Sequence, residues 1–320
     1  MDRPEVQLPT LSKINHWKDG RNAKGEWSSV WNNADVRGAL FAMHGSVCSY
    51  CLCKFDRDRG DVEHFRPKKI YPWLAYSFSN YLLSCLTCNR VFKREKFPVE
   101  PESERIANEG DDTECEPRRL LDPVFDTSIE NWLHVDITDE DVPLQCCLPT
   151  SQSIERDRVL ETVEFFELNL DRTLIGKRRE AVQEAHDVFK LAKNGTLGDD
   201  KRNAFRRSAS RRKAHGMTRR LVIQQLDVSD TFATSLLPTA HEEMEWWLNT
   251  LVEMLATEMR LLGKANKDQS RRRLKAKCKE LRWALATIWK CPAPITANDV
   301  ERVLVSNGIV KQIRPLKILM

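Results

Sequence analysis

The sequence predicts an α+β chain that is mostly α, with a small metal-centred domain first and a helical domain after it. Three observations carry that expectation. Two CxxC pairs, Cys48/Cys51 and Cys85/Cys88, bracket an acidic-His dipeptide, Glu63-His64. Four thiolates in two such pairs make a closed tetrahedral zinc site, which holds a small fold together without a large core. From about Ile154 onward, apolar residues recur every three or four positions over long stretches, the period of an amphipathic helix. The boundary is expected near 145–155. Residues 1–150 then hold the metal-centred domain, with its core at 48–98 and an N-terminal arm, and residues 151–320 hold the helical domain.

Bulk properties narrow the class. No apolar run in the 320 residues approaches the ~20 needed to span a bilayer. The N-terminal MDRPEVQLPTLSK lacks a charged-then-apolar leader pattern. A cytoplasmic protein without membrane partners is expected, and in a reducing compartment paired cysteines point to metal rather than disulfide. The net charge of +4 decides nothing alone. The absence of GxxxxGK[ST] and GxGxxG argues against a nucleotide hydrolase.

The elements follow in order. Residues 1–30 read as a polar arm with Trp17, Trp27 and Trp31 as anchors. Asn33–Val47 reads as a helix, because Val36, Leu40 and Met43 recur at helical spacing and Gly45 ends it. That helix delivers Cys48-x-x-Cys51 as a tight knuckle. Val62 and Phe65 mark a short strand over Asp61–Phe65, stopped by Arg66-Pro67. From Tyr81 the pattern is helix-compatible and carries Cys85, Cys88, Asn89 and Lys93 as far as Pro98. Residues 100–119 read as an exposed acidic loop closed by Leu120–Pro123, and Trp132–Ile137 as a strand or hairpin arm. Ile154–Leu170 and Leu174–Ala192 read as helices, the second ended by Asn194-Gly195.

Residues 201–220 form the most basic run, either a solvated helix face or loop, or a surface for a phosphate backbone. His241–Leu262 and Asp268–Trp289 read as an antiparallel helical pair. Arg271–Arg273 is a further basic cluster, and a Thr296-x-x-Asp299 capping box opens a last short helix. The apolar faces within Trp246–Leu262 are candidates for docking a partner.

Between the cysteine pairs lies a different chemical set: a carboxylate, an imidazole and two amides. These suit a hard, oxygen-liking divalent ion beside a general base. His64 is the candidate base, since imidazole titrates near working pH. Neighbours on a strand face opposite ways, so Glu63 and His64 serve one site only if a second element comes across to meet Glu63. The helix carrying Asn89 is the candidate element, making Glu63 and Asn89 two oxygen ligands of Mg²⁺. Asn80 is expected to orient His64 or brace the strand. Lys93, one turn beyond Asn89, is expected to neutralise a phosphate oxygen. Cys53 competes with Cys51 as a zinc ligand, and the matched CxxC spacing favours Cys51.

C-x-x-C, E-H, N and C-x-x-C-N-x-x-x-K together resemble a zinc-stapled HNH endonuclease of the ββα-metal type. Within that superfamily, DVEHFRPK and NYLLSCLTCNRVFKREKFP are similar to the PtuB nuclease subunits of Septu anti-phage systems and to the HNH effectors of some retrons. The resemblance covers Cys48–Pro98, with a weaker likeness through Leu120–Pro123 and LETVEFFELNLDRTLIGKRR. It implies His64 as general base, Glu63 and Asn89 as ligands of catalytic Mg²⁺ or Mn²⁺, Asn80 as the middle residue of the motif, and Cys48, Cys51, Cys85 and Cys88 as ligands of structural Zn²⁺. Two positions depart from the usual letters: Glu63 stands where His or Asp is commoner, and Asn89 where the motif has His. Both keep an oxygen donor. The implied function is an anti-phage effector that hydrolyses phosphodiesters, DNA before RNA such as tRNA. A PtuA-like ATPase is its implied partner, and in retrons a reverse transcriptase with its RNA. The alternatives are a stand-alone restriction or homing endonuclease and an inactive zinc-stapled binding module.

Overall fold

The computed structural model describes residues 8, 10–14, 17–21, 25–56, 59–123, 126, 129–211, 213–227, 229, 231–264, 269, 270, 272, 275 and 278. The expected second helix of the C-terminal pair, the Arg271–Arg273 cluster and the Thr296/Asp299 capping box fall largely or wholly outside these. Among the described residues the fold is α+β and mostly helical, with two small two-stranded sheets. No helix there is long and apolar enough to cross a membrane. The residues group into two compact units by space rather than chain order. One draws on 46–75 and 82–238, the other on 3–45, 76–81 and 239 onward.

In the first unit, strand β1 (Asp61–His64) pairs with β2 (Tyr81–Ser84). The helix expected from Tyr81 starts later: all four residues of β2 are buried, and the helical segment is Thr87–Lys93, wound as a π-helix. Strands β3 (Leu133–Val135) and β4 (Leu144–Cys146) pair antiparallel, with His134 opposite Gln145. Helices α2 (Ile129–Trp132), α3 (Ser153–Phe165), α4 (Arg172–Lys193), α5 (Asp199–Ser208), α6 (Gly216–Leu226) and α7 (Ala233–Leu236) complete the unit. Asp171 caps α4 by accepting from the Thr173 and Leu174 amides at 2.8 and 3.0 Å, which satisfies two of the four free amides of a helix start.

Two cores form here. One joins β3, α4, α5 and α6 through Val135, Ala185, Phe205 and Ile223. The other surrounds the cysteines and takes in Phe65, Tyr71, Leu82, Phe97 and, from beyond the end of α3, Phe166. Phe166 stacks on Tyr50 with ring centroids 4.2 Å apart. Aromatic stacking and burial therefore tie the LETVEFF stretch to the cysteine-bearing core.

The basic run is α5, a turn and the start of α6, and much of its charge is answered within the chain. Arg206 donates to the Ser235 carbonyl, Arg211 and Arg220 to Glu130, and Arg219 to Glu184. This pattern favours the structural reading of the run over a phosphate-contacting one.

In the second unit, α1 (Ala34–His44) buries Val36, Ala39 and Leu40 and stops at Gly45, whose φ of +66° suits glycine. Helix α8 (Ala240–Lys264) buries Trp247, Leu248, Leu251, Val252 and Leu255. Trp247 donates its indole N–H to the Ala42 carbonyl at 2.8 Å and meets Phe41 edge-on. Within the stretch offered as a docking face, the Trp247–Leu255 stripe is thus buried, whereas Leu261 is exposed.

Candidate active site

The first CxxC is shaped by a backbone turn that needs no side chain. Cys48 N–H donates to the Cys53 carbonyl and Leu52 N–H to the Cys48 carbonyl, with Leu52 in the left-handed region at φ +61°. Ser49 fastens this knuckle to β2 through its amide and hydroxyl, both on the Leu83 carbonyl. The second pair leads into the π-helix, where the Cys88 amide points at Cys85 Sγ at 3.4 Å. As a result the sulfurs of Cys48, Cys51, Cys85 and Cys88 lie within 4.8 Å of one another. Cys51 and Cys85 are 3.8 Å apart. A tetrahedron with metal–sulfur bonds of about 2.3 Å has sulfur–sulfur edges of about 3.8 Å, so the cluster fits zinc. Cys53 sits beside it, half-buried, outside the converged set.

Strand β1 runs past this cluster and distributes its side chains by the period of two. Asp61 and Glu63 share one face and meet the π-helix. Asn89 Nδ2 donates to Asp61 Oδ2 at 2.9 Å, and Lys93 Nζ lies 3.4 Å from Glu63 Oε1. The element that comes across to Glu63 is therefore the one carrying Asn89, and the contact it makes first is Lys93. Lys93 is fully buried, not placed on the surface to reach a phosphate. Neither Glu63 Oε1 nor Lys93 Nζ completes a hydrogen bond. Burial raises the Glu63 carboxyl to about 7, against the pull of Lys93, and the same burial lowers the Lys93 ammonium. A buried carboxylate whose Oε1 completes no hydrogen bond is an oxygen donor of the kind that fits a hard divalent cation.

His64 faces away from that pair, and its Nε2 lies 3.0 Å from the Ala75 carbonyl oxygen. A carbonyl only accepts, so Nε2 carries the proton, and the neutral ring keeps its lone pair on Nδ1. Burial, then Lys68 and Lys93, push the imidazole down to about 3, against the Ala75 carbonyl that favours the cation. The ring is thus neutral across the physiological range, and burial makes it a weaker base than a free imidazole. Lys68 and Lys93 act on Glu63 as well, so the two side chains that diverge along β1 sit around one pair of ammonium groups. Asn80, itself buried, ends a 3₁₀ turn, Phe78–Asn80, directly before β2, and belongs to the second compact unit.

Beyond β1 a buried polar network fixes the strand's exit. Glu116 accepts from Arg66 Nε at 2.8 Å and from the Tyr71 hydroxyl at 2.7 Å, while Arg66 also reaches the Thr113 carbonyl. The acidic loop expected to be exposed therefore sends one carboxylate inward, and Tyr71, one of the aromatics between Glu63 and Asn80, is its partner.

With this geometry in hand, three curated relatives bear on the family. The chain is 34% identical over 116 residues to the Septu protein PtuB of Bacillus mycoides (strain KBAB4), 32% of this chain and 39% of that one. It is 30% identical over 155 residues to the Septu protein PtuB of Bacillus thuringiensis, 46% of this chain and 58% of that one. The chain resembles PtuB. It is also 40% identical over 58 residues to the Retron Vc95 putative HNH endonuclease of Vibrio cholerae serotype O1 biovar El Tor, 17% of this chain and 28% of that one. The matched stretches cover less than two thirds of the PtuB relatives' own length. No family model matches, and no solved structure matches.

Neither Asp61 nor Arg90 stands out in the sequence as a site residue, yet Asp61 meets Asn89 and Arg90 meets Asp61. Arg90 clamps Asp61 through Nε and Nη2 at 2.7 and 2.9 Å. The signal for Asp61 is its place two residues before Glu63, on the same face of β1.

Proposed function

We propose that this chain is a metal-dependent HNH nuclease acting as an effector of anti-phage defence, with DNA as the favoured substrate. The observation that carries the reading is His64. It is a buried, neutral imidazole whose Nε2 is committed to the Ala75 carbonyl, so Nδ1 can take a proton from an attacking water. Glu63, through its carboxylate, and Asn89, through its amide oxygen, are the residues to hold Mg²⁺ or Mn²⁺. A cation held there supplies charge neutralisation at the scissile phosphodiester. Cys48, Cys51, Cys85 and Cys88 hold a structural zinc, which keeps β2 and the π-helix in fixed relation to the knuckle. Asn80 braces the approach to β2. A PtuA-like ATPase is the proposed partner, with residues beyond 150 as its docking side.

Mg²⁺-dependent cleavage of plasmid DNA and of total RNA by the purified chain and its partner ATPase tests this reading. Wild type is expected to cut DNA, and His64→Ala to lose about 10²–10⁴-fold in rate, the usual contribution of a general base. Undiminished cleavage by His64→Ala removes His64 from the chemistry. Cutting of RNA alone overturns the substrate assignment.

A further inference from the structure

An asparagine offers a metal ion only one of two nearly isosteric ends: the amide oxygen can ligate a cation and the amide nitrogen cannot. Something must therefore decide which way the Asn89 carboxamide points. Asp61 is the group in contact with it, and an ionised carboxylate only accepts hydrogen bonds. The 2.9 Å contact from Asn89 Nδ2 to Asp61 Oδ2 thus holds the nitrogen end against β1 and turns Oδ1 away from it. Asp61 is itself held: Arg90, the neighbour of Asn89, engages both of its oxygens in a bidentate ion pair. That clamp balances the Asp61 charge and occupies the lone pairs with which it would bind a metal directly. Because Asp61 and Glu63 are two residues apart on one strand face, the residue that orients the second ligand is fixed to the strand that carries the first.

Resting on the nuclease reading above, we propose that Asp61 is a positioning residue, held by Arg90, that orients Asn89 so that its amide oxygen serves the catalytic divalent cation. Asp61 touches neither substrate nor cation; it acts through Asn89. Its loss therefore appears as weaker metal binding, and the conservative variant that keeps an acceptor restores it.

The test is Mn²⁺ binding to the zinc-loaded full chain, followed by the loss of the free-ion electron paramagnetic resonance signal, with zinc content and thermal unfolding measured on every variant. Asp61→Ala is expected to weaken Mn²⁺ binding about 10-fold or more, the usual effect of removing a partner of a metal ligand. Asp61→Asn, whose amide oxygen still accepts from Asn89 Nδ2, is expected to stay within about threefold of wild type, since the exposed Arg90 loses little when left unpaired. Asn89→Ala is expected to match Asp61→Ala, and the double variant to bind no worse than Asn89→Ala alone. Wild-type affinity in Asp61→Ala, or losses that multiply in the double variant, overturns the proposal. Should Asp61→Ala fail to fold, Asp61→Leu, which keeps the side-chain bulk and offers no acceptor to Asn89, takes its place, and unchanged Mn²⁺ affinity there overturns the proposal equally. Wild type and Asn89→Ala binding Mn²⁺ alike is a different failure: it refutes the ligand assignment of the nuclease reading itself.

Discussion

Replacing Lys93 by Met puts the buried pair at the centre of the site to a quantitative test. Glu63 is 3% exposed and its carboxyl is raised from 4.5 to about 7 even with the Lys93 ammonium beside it. At about 1.4 kcal/mol per unit, holding that carboxylate ionised in the folded protein costs about 3 kcal/mol above pH 7. The sign follows from the direction of the shift. Between the unfolded and folded values the folded state keeps a proton that the unfolded state has released, so stability is full below about 4.5 and is lost as pH rises through about 7. Lys93→Met withdraws the larger of the two ammonium contributions that favour the ion, leaving Lys68, and breaking a buried pair from one side costs about 3–5 kcal/mol. Protonation caps that cost: with Lys93 gone, Glu63 titrates above 7 and stays neutral in mild acid. The variant should thus match wild type near pH 5.5, where a buried ammonium has also been removed, and fall about 3–5 kcal/mol below it near pH 9. Urea unfolding of zinc-loaded protein in Mg²⁺-free buffer, followed by circular dichroism at several pH values, measures the difference. Zinc-linked protonation enters both proteins and cancels. A destabilisation that does not grow with pH refutes the reasoning.

Two further outcomes concern the supports of the site. Cys51→Ser should lose most of its bound zinc, measured by plasma mass spectrometry, whereas Cys53→Ser should retain it, because only the former removes a sulfur from the converged set. Glu116→Ala leaves the Arg66 guanidinium buried without its carboxylate; a loss of about 3–5 kcal/mol in chemical unfolding is expected, and a change under about 0.5 kcal/mol, typical of exposed positions, would show that the network contributes nothing.

What the sequence disclosed and what it withheld divide along the range of the interaction. The CxxC pairs are legible because three-residue spacing is all a knuckle needs, and the divergence of Glu63 from His64 follows from the strand period. Helix α4 is legible from its apolar period and from Asn194-Gly195 at its end. Contacts across longer separations leave no such mark. Glu116 lies in a stretch whose composition reads as solvated, and only the arrival of Arg66 and Tyr71, 50 and 45 residues earlier in the chain, makes it a buried anchor. Tyr81–Ser84 is compatible with helix by periodicity, and pairing with β1 overrides that preference, as tertiary context commonly does. The Trp247–Leu255 stripe is apolar at helical spacing whichever surface it meets. That Trp247 docks on Ala42 and Phe41 of α1 is a fact of topology, which no local pattern encodes.

The charges around Glu63 carry a consequence for how the site fills. Two carboxylates, Asp61 and Glu63, face three cations, Lys68, Arg90 and Lys93. Counted formally that is −2 against +3, a site with net charge +1 before any divalent ion arrives. A cation entering alone raises the local charge to +3 in a largely buried setting, where like charges repel strongly. A phosphodiester entering with it removes one unit and supplies two oxygens. Metal and nucleic acid should therefore bind cooperatively, and linkage makes the coupling equal in both directions. With the chemistry stopped by His64→Ala, Mn²⁺ affinity should rise about 5–100-fold on adding a DNA duplex, which corresponds to a coupling of about 1–3 kcal/mol. The rise should shrink in Lys68→Met, which removes one positive charge that opposes the lone ion and leaves Lys93 beside Glu63. Equal Mn²⁺ affinity with and without DNA would mean that the lysines do not sense the cation. The ion would then bind away from Glu63.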